Sequence, residues 1–127
     1  MAEPALPFLA SQQSLYAAST DELALAVLWL GFAGRAEEPD SSIDLHRIVD
    51  SFAEATGIEL GMVRRYATPP LAWIRELVLE GTLLLEHRYL AARHASTGAD
   101  HSRTEIALTR RGREALRSPD PAAFLRA

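Results

Sequence analysis

IALTRRGREAL (residues 106–116) is the stretch of this chain that decides its fold. Its first residues fit a strand, and Thr109 is a typical N-cap for a helix that follows directly. The first turn of that helix contains Arg110, Arg111 and Gly112. A helix N-terminus favours Asp or Glu instead, by about 0.3–1 kcal/mol per residue, and glycine is a poor helix former. These three residues therefore need an explanation beyond local helix stability.

Two explanations of the arginines follow from the sequence. In the first, Arg110 and Arg111 bind an anion such as a phosphate, which a helix N-terminus also attracts through its free N–H groups. In the second, both side chains are solvated and form ion pairs with Glu105 or Glu114. The sequence leaves both alternatives open.

Length and composition are those of a globular protein. The 127 residues fit one domain, 48% of them are hydrophobic, and 24% are charged. The absence of cysteine excludes disulfides and cysteine-ligated metal sites. The first ten residues, MAEPALPFLA, lack the pattern of a secretory signal, and the apolar run 23–33 is too short to cross a bilayer. We therefore expect a soluble, cytoplasmic protein without a membrane partner.

Charge is distributed unevenly along the chain. All 13 basic residues are arginine, and the formal net charge is −4. Residues 1–60 carry a net charge of −8, since ten acids oppose two arginines, whereas residues 61–127 carry +4 from eleven arginines and seven acids. Such an asymmetry indicates a second half that faces a polyanion, and arginine suits planar, bidentate contacts with phosphate.

Hydrophobic periodicity and capping residues predict a series of helices. Ser19 and Glu22 form the pattern of a capping box before a helix that is apolar on nearly all sides. Such a helix lies either at the centre of a domain or in a subunit interface. Gly57 and Gly81 are interpreted as C-terminal stops. The predicted helices span 7–17, 20–34, 43–56, 70–80 and 110–117, with one or two further turns over 59–67 and a last turn after Asp120-Pro121 that docks Phe124 and Leu125.

After Gly81 the pattern changes to that of strands. The segment TLLLEHRYLAA (82–92) is rich in strand formers, and TEIALT (104–109) alternates between apolar and polar residues. The segment between them is polar and contains Gly98. This arrangement predicts a two-stranded β-hairpin with a long tip, directly before the last long helix.

Three stretches resemble winged-helix transcription regulators of the PadR and MarR type. FAEATGIELGMVRRY (52–66) is similar to the entry of their helix-turn-helix, and IRELVLEGTL (74–83) to the end of the recognition helix and the start of the first wing strand. IALTRRGREAL resembles the second wing strand turning into the next helix. The resemblance implies an α+β, mainly α fold: a winged helix-turn-helix with a two-stranded β-hairpin wing and extra N- and C-terminal helices. The expected organisation is a single domain over 1–127, with a core at about 20–117 and extensions at 1–19 and 118–127.

The same resemblance implies a transcription regulator that binds double-stranded DNA. Helix 70–80 would lie in the major groove, and the wing at about 93–103 would contact the minor groove or the backbone. Arginines near the wing would neutralise phosphates without reading sequence, and Arg75 is the best candidate for a base contact. The predicted DNA-binding residues are Arg64, Arg65, Tyr66, Arg75, Arg88, Arg93, Arg103, Arg110 and Arg111.

Helix 70–80 departs from a typical recognition helix. The face opposite its core stripe carries Ala72, Arg75, Glu76 and Leu79, whereas base edges are read by residues such as Arg, Asn and Gln. The alternative function is therefore a winged-helix module that binds a protein on this face and does not bind DNA. A homodimer is also expected, because the helix 20–34 and both terminal segments hold more apolar residues than a lone winged helix needs to cover.

Other kinds of site receive little support from the sequence. Three histidines recur every seven residues between His87 and His101 without a defined ligand geometry, so we expect no metal site. Phosphate-binding loops and hydrolase motifs are missing, so we expect neither an enzyme nor a cofactor. Trp29 and Trp73 are expected in the core, with a ligand pocket near Trp29 and an apolar protein-binding patch near Trp73 as alternatives.

Overall fold

The computed structural model describes residues 11–37, 42–57, 69–95 and 104–126. Within these ranges the protein is mainly helical with a small antiparallel sheet, so the expected α+β, mainly α class is confirmed. The helices are α1 (Gln12–Tyr16), α2 (Thr20–Phe32), α3 (Leu45–Ala55), α4 (Pro69–His87), α5 (Arg110–Arg117) and a C-terminal 3₁₀ helix (Pro121–Leu125). The strands are β1 (Ser42–Asp44), β2 (Ala91–Ala95) and β3 (Thr104–Leu108).

Helix α2 lies at the centre of the described fold. Its N-terminus carries the predicted capping box: the Ser19 hydroxyl accepts the Glu22 N–H at 3.2 Å, and the Glu22 carboxylate accepts the Ser19 N–H at 2.9 Å. Helices α3, α4 and α5 and the 3₁₀ helix all contact α2. Its central position therefore explains why it is apolar on nearly all sides, without a subunit interface. The buried residues of α2 are Leu23, Ala24, Ala26, Val27, Leu28, Gly31 and Phe32.

Helix α4 is longer than the sequence predicts. The prediction of a helix that ends at Gly81 is wrong, because α4 continues to His87. The prediction of a strand from residue 82 is wrong for the same reason, since β2 begins only at Ala91. Gly81 lies where α4 crosses α2, and a Cβ there would lie 2.7 Å from the carbonyl carbon and oxygen of Leu23. Gly81 thus permits a close approach of two helix backbones and does not end a helix.

A turn over residues 88–90, which we name the α4 turn, closes this helix. The Leu90 N–H donates to the Leu85 carbonyl at 2.8 Å, and the Tyr89 N–H donates to the Glu86 carbonyl at 3.0 Å. This pair of bonds is that of a Schellman motif, which requires one residue in the left-handed conformation. Tyr89 supplies it with a φ of 61°. Glycine is the usual residue there, since a side chain costs about 1–2 kcal/mol in this conformation.

A third strand extends the predicted hairpin to a sheet of order β1-β3-β2. Strand β1 pairs with β3 in antiparallel register, with Ile43 opposite Ile106. The sequence predicts a helix from residue 43, but α3 begins at Leu45 because Asp44 caps it: the Asp44 carboxylate accepts the N–H of His46 at 2.8 Å. The predicted β2–β3 hairpin is confirmed, with its first strand later in the chain than expected and with one further strand beside β3.

Some predicted segments cannot be compared with the structure. The wing tip from residue 96 to 103 and the helical turns over 59–67 lie outside the described residues. The described part of the predicted helix 7–17 is α1, in which Leu15 is fully buried and Tyr16 is 44% exposed.

Both predicted extensions contribute to the hydrophobic core. The 3₁₀ helix packs onto α2 and α5, where Leu125 is only 3% exposed and Phe124 is half-buried, so the predicted docking of these two residues is confirmed. Leu15 and Leu125 belong to the same buried cluster as the core residues of α2, α3 and α4. The described residues therefore share one core, which includes parts of the chain on both sides of 20–117.

Candidate functional site

The start of α5 is bonded to the α4 turn. The Thr109 N–H donates to the Leu90 carbonyl at 3.1 Å, and the Thr109 hydroxyl donates to the Tyr89 carbonyl at 2.6 Å. The Nε–H of Arg111 donates to the Arg88 carbonyl at 3.3 Å. Three consecutive carbonyls of the turn thus receive donors from the β3–α5 junction. The predicted N-cap is also present, because the Thr109 hydroxyl accepts the Gly112 N–H at 3.0 Å.

Gly112 is required by this contact. A Cβ at position 112 would collide with the Leu90 carbonyl oxygen and would lie 3.0 Å from a methyl carbon of Leu108. Backbone at Leu90 cannot easily move away, because both its N–H and its carbonyl are hydrogen-bonded. The glycine in the first turn of α5 is therefore explained by packing and not by helix propensity.

Arg111 also has internal partners. Besides its bond to the Arg88 carbonyl, its guanidinium lies 5.2 Å from the centroid of the Phe124 ring, within the range of a cation–π contact. Among the residues that the structure describes, neither Glu105 nor Glu114 forms an ion pair with it. Arg111 thus links the α4 turn to the C-terminal 3₁₀ helix.

Arg110 differs from its neighbour. Its side chain is exposed at the first position of α5, where the free N–H groups and the helix dipole favour an anion. Within the described ranges, no acidic side chain pairs with it. Among the predicted DNA-binding residues that the structure describes, Arg110 is thus exposed and accessible to a phosphate.

Two more of the predicted arginines are engaged within the fold. The Nε–H of Arg88 donates to the Leu125 carbonyl at 2.8 Å, which ties the end of α4 to the C-terminal 3₁₀ helix. Arg93 on β2 forms an ion pair with Glu86 on α4, with 2.6 Å between Nε and Oε1. The Arg88 bond joins segments that are 37 residues apart, and the Arg93 pair joins β2 to α4, so both side chains have a structural role besides any contact with DNA.

The remaining predicted residues are not brought to one place by the described structure. Arg75 is half-buried on α4. The predicted residues Arg64, Arg65, Tyr66 and Arg103 lie outside the described residues.

Tyr89 is a candidate that the sequence did not reveal. Its side chain is 76% exposed, and it takes a backbone conformation that favours glycine. An exposed aromatic residue in a costly conformation, directly beside the hairpin, is a reason to consider a functional contact. The sequence pattern predicts a strand at residue 89, so the left-handed turn and the exposure of Tyr89 could not be anticipated from it.

The outward face of α4 is apolar and acidic. Trp73 is 59% exposed and Leu83 is 53% exposed, so the expectation that Trp73 lies in the core is wrong. Glu76 and Glu80 are exposed between them. Within the described ranges neither acid forms an ion pair. This face therefore offers negative charge and apolar surface to a partner.

A cleft lies at the N-terminal end of this face, between α1 and α4. It has a volume of about 420 Å³ and is lined by Tyr16, Trp73, Glu76 and Leu77. Tyr16 comes from α1, which the buried Leu15 anchors to the core. The sequence could not reveal the cleft, since its two aromatic residues are 57 positions apart.

A second cleft of about 380 Å³ lies beside Trp29, where a ligand pocket was one of the alternatives. It is bordered by the end of α2 and by Leu116 and Arg117 of α5. Arg117 is paired there, with 3.5 Å between its Nε and a carboxylate oxygen of Glu37. As for metals, the described residues hold no group of three or more side chains able to bind an ion.

Comparisons with known proteins identify no relative: neither models of protein families, nor curated proteins, nor solved structures match this chain. Among the described residues, no helix combines the length and hydropathy needed to cross a membrane.

Proposed function

We propose that this protein belongs to the class of winged-helix proteins, and that it is a DNA-binding transcription regulator of the cytoplasm. The observation that carries the proposal is the arrangement of its elements. Helices α2, α3 and α4 pack on one another, the β2–β3 hairpin follows α4 directly, and β1 pairs with β3. This arrangement is similar to that of winged-helix regulators, in which the hairpin is the wing. Since a fold alone does not define a function, the DNA contact has to be argued from side chains.

The phosphate contact is assigned to the base of the hairpin. Arg110 is exposed there without an acidic partner among the described residues. The exposed Tyr89 is bonded to the residue before it, since the Tyr89 carbonyl accepts the Thr109 hydroxyl. Arg93 on β2 is paired with Glu86 at the surface, where a phosphate can compete for the guanidinium. Such contacts position a protein on DNA without reading its sequence.

We do not propose that helix α4 contacts the bases of DNA. Its exposed Glu76 and Glu80 would face the phosphates of a major groove and repel them. The proposed complex therefore binds DNA from the side of the hairpin. Its affinity should depend steeply on salt, since phosphate contacts release counterions. A homodimer would present two such hairpins.

The test is the fluorescence anisotropy of a labelled generic DNA duplex titrated with protein across a salt series. We expect binding at low salt, and a log–log salt slope that becomes smaller by about 1 in Arg110→Ala. Arg117→Ala is the matched control, because it removes the same charge from the same helix at a position paired with Glu37. An unchanged slope in Arg110→Ala, or an equal loss in the control, would contradict the assignment of Arg110.

A second candidate function is protein binding through the outward face of α4. It is favoured by the exposure of Trp73 and Leu83 beside Glu76 and Glu80, which form no ion pair with a described residue. This combination suits a partner surface with apolar and basic residues. The same titration separates the two candidates. Protein binding without DNA binding predicts no change in anisotropy even at the lowest salt, where phosphate contacts are strongest.

A further inference from the structure

We propose that the cleft between α1 and α4 is a binding site for a small organic cation with an apolar body. The site is distinct from the hairpin base, and the proposal holds whether or not the protein binds DNA. Its walls are Tyr16 and Trp73, Leu77 contributes apolar surface, and Glu76 supplies a negative charge.

The two aromatic rings of the cleft are exposed and can attract a cation. Tyr16 and Trp73 remain 44% and 59% exposed, although each could bury more apolar area in a core. The face of an aromatic ring carries negative partial charge and attracts a cation, with Trp the most favourable ring. In the described part of the chain, the cation–π contact is that of Arg111 with Phe124, so no described arginine covers either ring of the cleft.

Glu76 gives the cleft a negative charge. It follows Trp73 by about one helical turn and lines the same cleft, so it supplies a negative charge close to the two rings. No described residue neutralises it by an ion pair. A cation in the cleft would be attracted by Glu76 and by the faces of the two rings, whereas an anion would be repelled by Glu76.

The volume of the cleft suits a small organic molecule. A volume of about 420 Å³ lies within the range of roughly 300–1,000 Å³ that is usual for small-molecule sites. This space suits a substituted ammonium or an aromatic cation and exceeds the need of an inorganic ion. Leu77 is half-buried at the wall and offers the apolar contact that the body of such a ligand would use.

The experiment follows the indole N–H signals of both tryptophans by two-dimensional NMR of the full chain. The probe is benzyltrimethylammonium, with benzyl alcohol as the neutral and benzenesulfonate as the anionic comparison. We expect saturable shifts of the Trp73 signal with the ammonium probe alone, while the Trp29 signal, from the other cleft, stays unchanged.

Two carboxylate variants locate the charge. Glu76→Gln should weaken binding of the ammonium probe about three- to fivefold, the usual effect of losing one exposed ion pair, because it removes the charge that lines the cleft. Glu80→Gln is the matched control, since it makes the same change on the same exposed face outside the cleft lining, and it should alter affinity less than twofold. Both sites are exposed, so neither variant should affect folding.

The outcomes decide the proposal. Preference for the ammonium probe, together with a larger loss in Glu76→Gln than in Glu80→Gln, supports it. Equal shifts with benzyl alcohol would show an apolar site without charge recognition, and equal losses in the two variants would show a general surface potential. Either result, or the absence of any Trp73 shift at millimolar probe, overturns the proposal.

Discussion

Gly112 shows how a single residue without a side chain holds the hairpin base together. It lies where α5 begins, against the carbonyl oxygen of Leu90. Helix propensity alone predicts that alanine would be better there by about 1 kcal/mol. The structure predicts the opposite sign, because the carbonyl that a methyl would strike is itself bonded to the Thr109 N–H. The two effects can be separated by one substitution.

We expect Gly112→Ala to lower the free energy of unfolding by about 1–3 kcal/mol, the usual cost of overpacking a close contact. The measurement is urea denaturation followed by circular dichroism. Arg110→Ala, two positions earlier and exposed, is the control and should change stability by about 0.5 kcal/mol or less. A more stable Gly112→Ala variant would mean that the Leu90 carbonyl does not lie in close contact with position 112.

At the same scale, the sequence could predict the caps but not the partners of the arginines. Ser19 and Thr109 cap helices through residues within three positions, so a local pattern is sufficient to find them. Arg88, by contrast, donates to a carbonyl 37 residues away, and Arg111 to one 23 residues away. Which arginines are engaged inside the fold therefore depends on the docking of distant segments, and charge counts cannot show it.

At the scale of elements, the crossing of α2 and α4 determines the length of α4. The sequence places a stop at Gly81 because glycine commonly follows the end of a helix. In the structure the same glycine is buried in the middle of α4, against the backbone of Leu23 and Ala24. A local pattern cannot distinguish these two uses of glycine, since the second depends on a helix almost sixty residues earlier. The three-residue strand β1 is missed for a similar reason, because it is too short for periodicity and pairs with β3 far along the chain.

We expect Gly81→Ala to destabilise the protein by roughly 1–3 kcal/mol, because its Cβ would lie 2.7 Å from backbone atoms of Leu23. The gain in helix propensity, about 1 kcal/mol, would offset only part of this cost. Leu83→Ala, on the exposed face of the same helix, is the control and should change stability by about 0.5 kcal/mol or less. Thermal unfolding by circular dichroism gives both values. Were Gly81 a helix stop, alanine would instead lengthen the helix and raise its signal.

At the scale of the whole molecule, the segments that precede α2 and follow α5 contribute to one core. Leu15 from α1 and Leu125 from the 3₁₀ helix are buried in the same cluster as α2. The 3₁₀ helix is further held by the Arg88 bond to the Leu125 carbonyl and by the contact of Arg111 with Phe124. The same segment therefore supports the α4 turn and hence the position of the proposed phosphate contact at Arg110.

This connection predicts that the C-terminal segment unfolds together with the rest of the protein. Leu125→Ala should lower the free energy of unfolding by about 2–5 kcal/mol, the usual cost of removing a buried leucine side chain. Far-ultraviolet circular dichroism and tryptophan fluorescence, followed through urea denaturation, should report one coincident transition at a lower midpoint. Ala123→Ser, on the exposed side of the same 3₁₀ helix, should leave the midpoint nearly unchanged. If Leu125→Ala behaved like this control, the segment would be an appendage, and the support that it lends to the hairpin base through Arg88 and Arg111 would have to come from elsewhere.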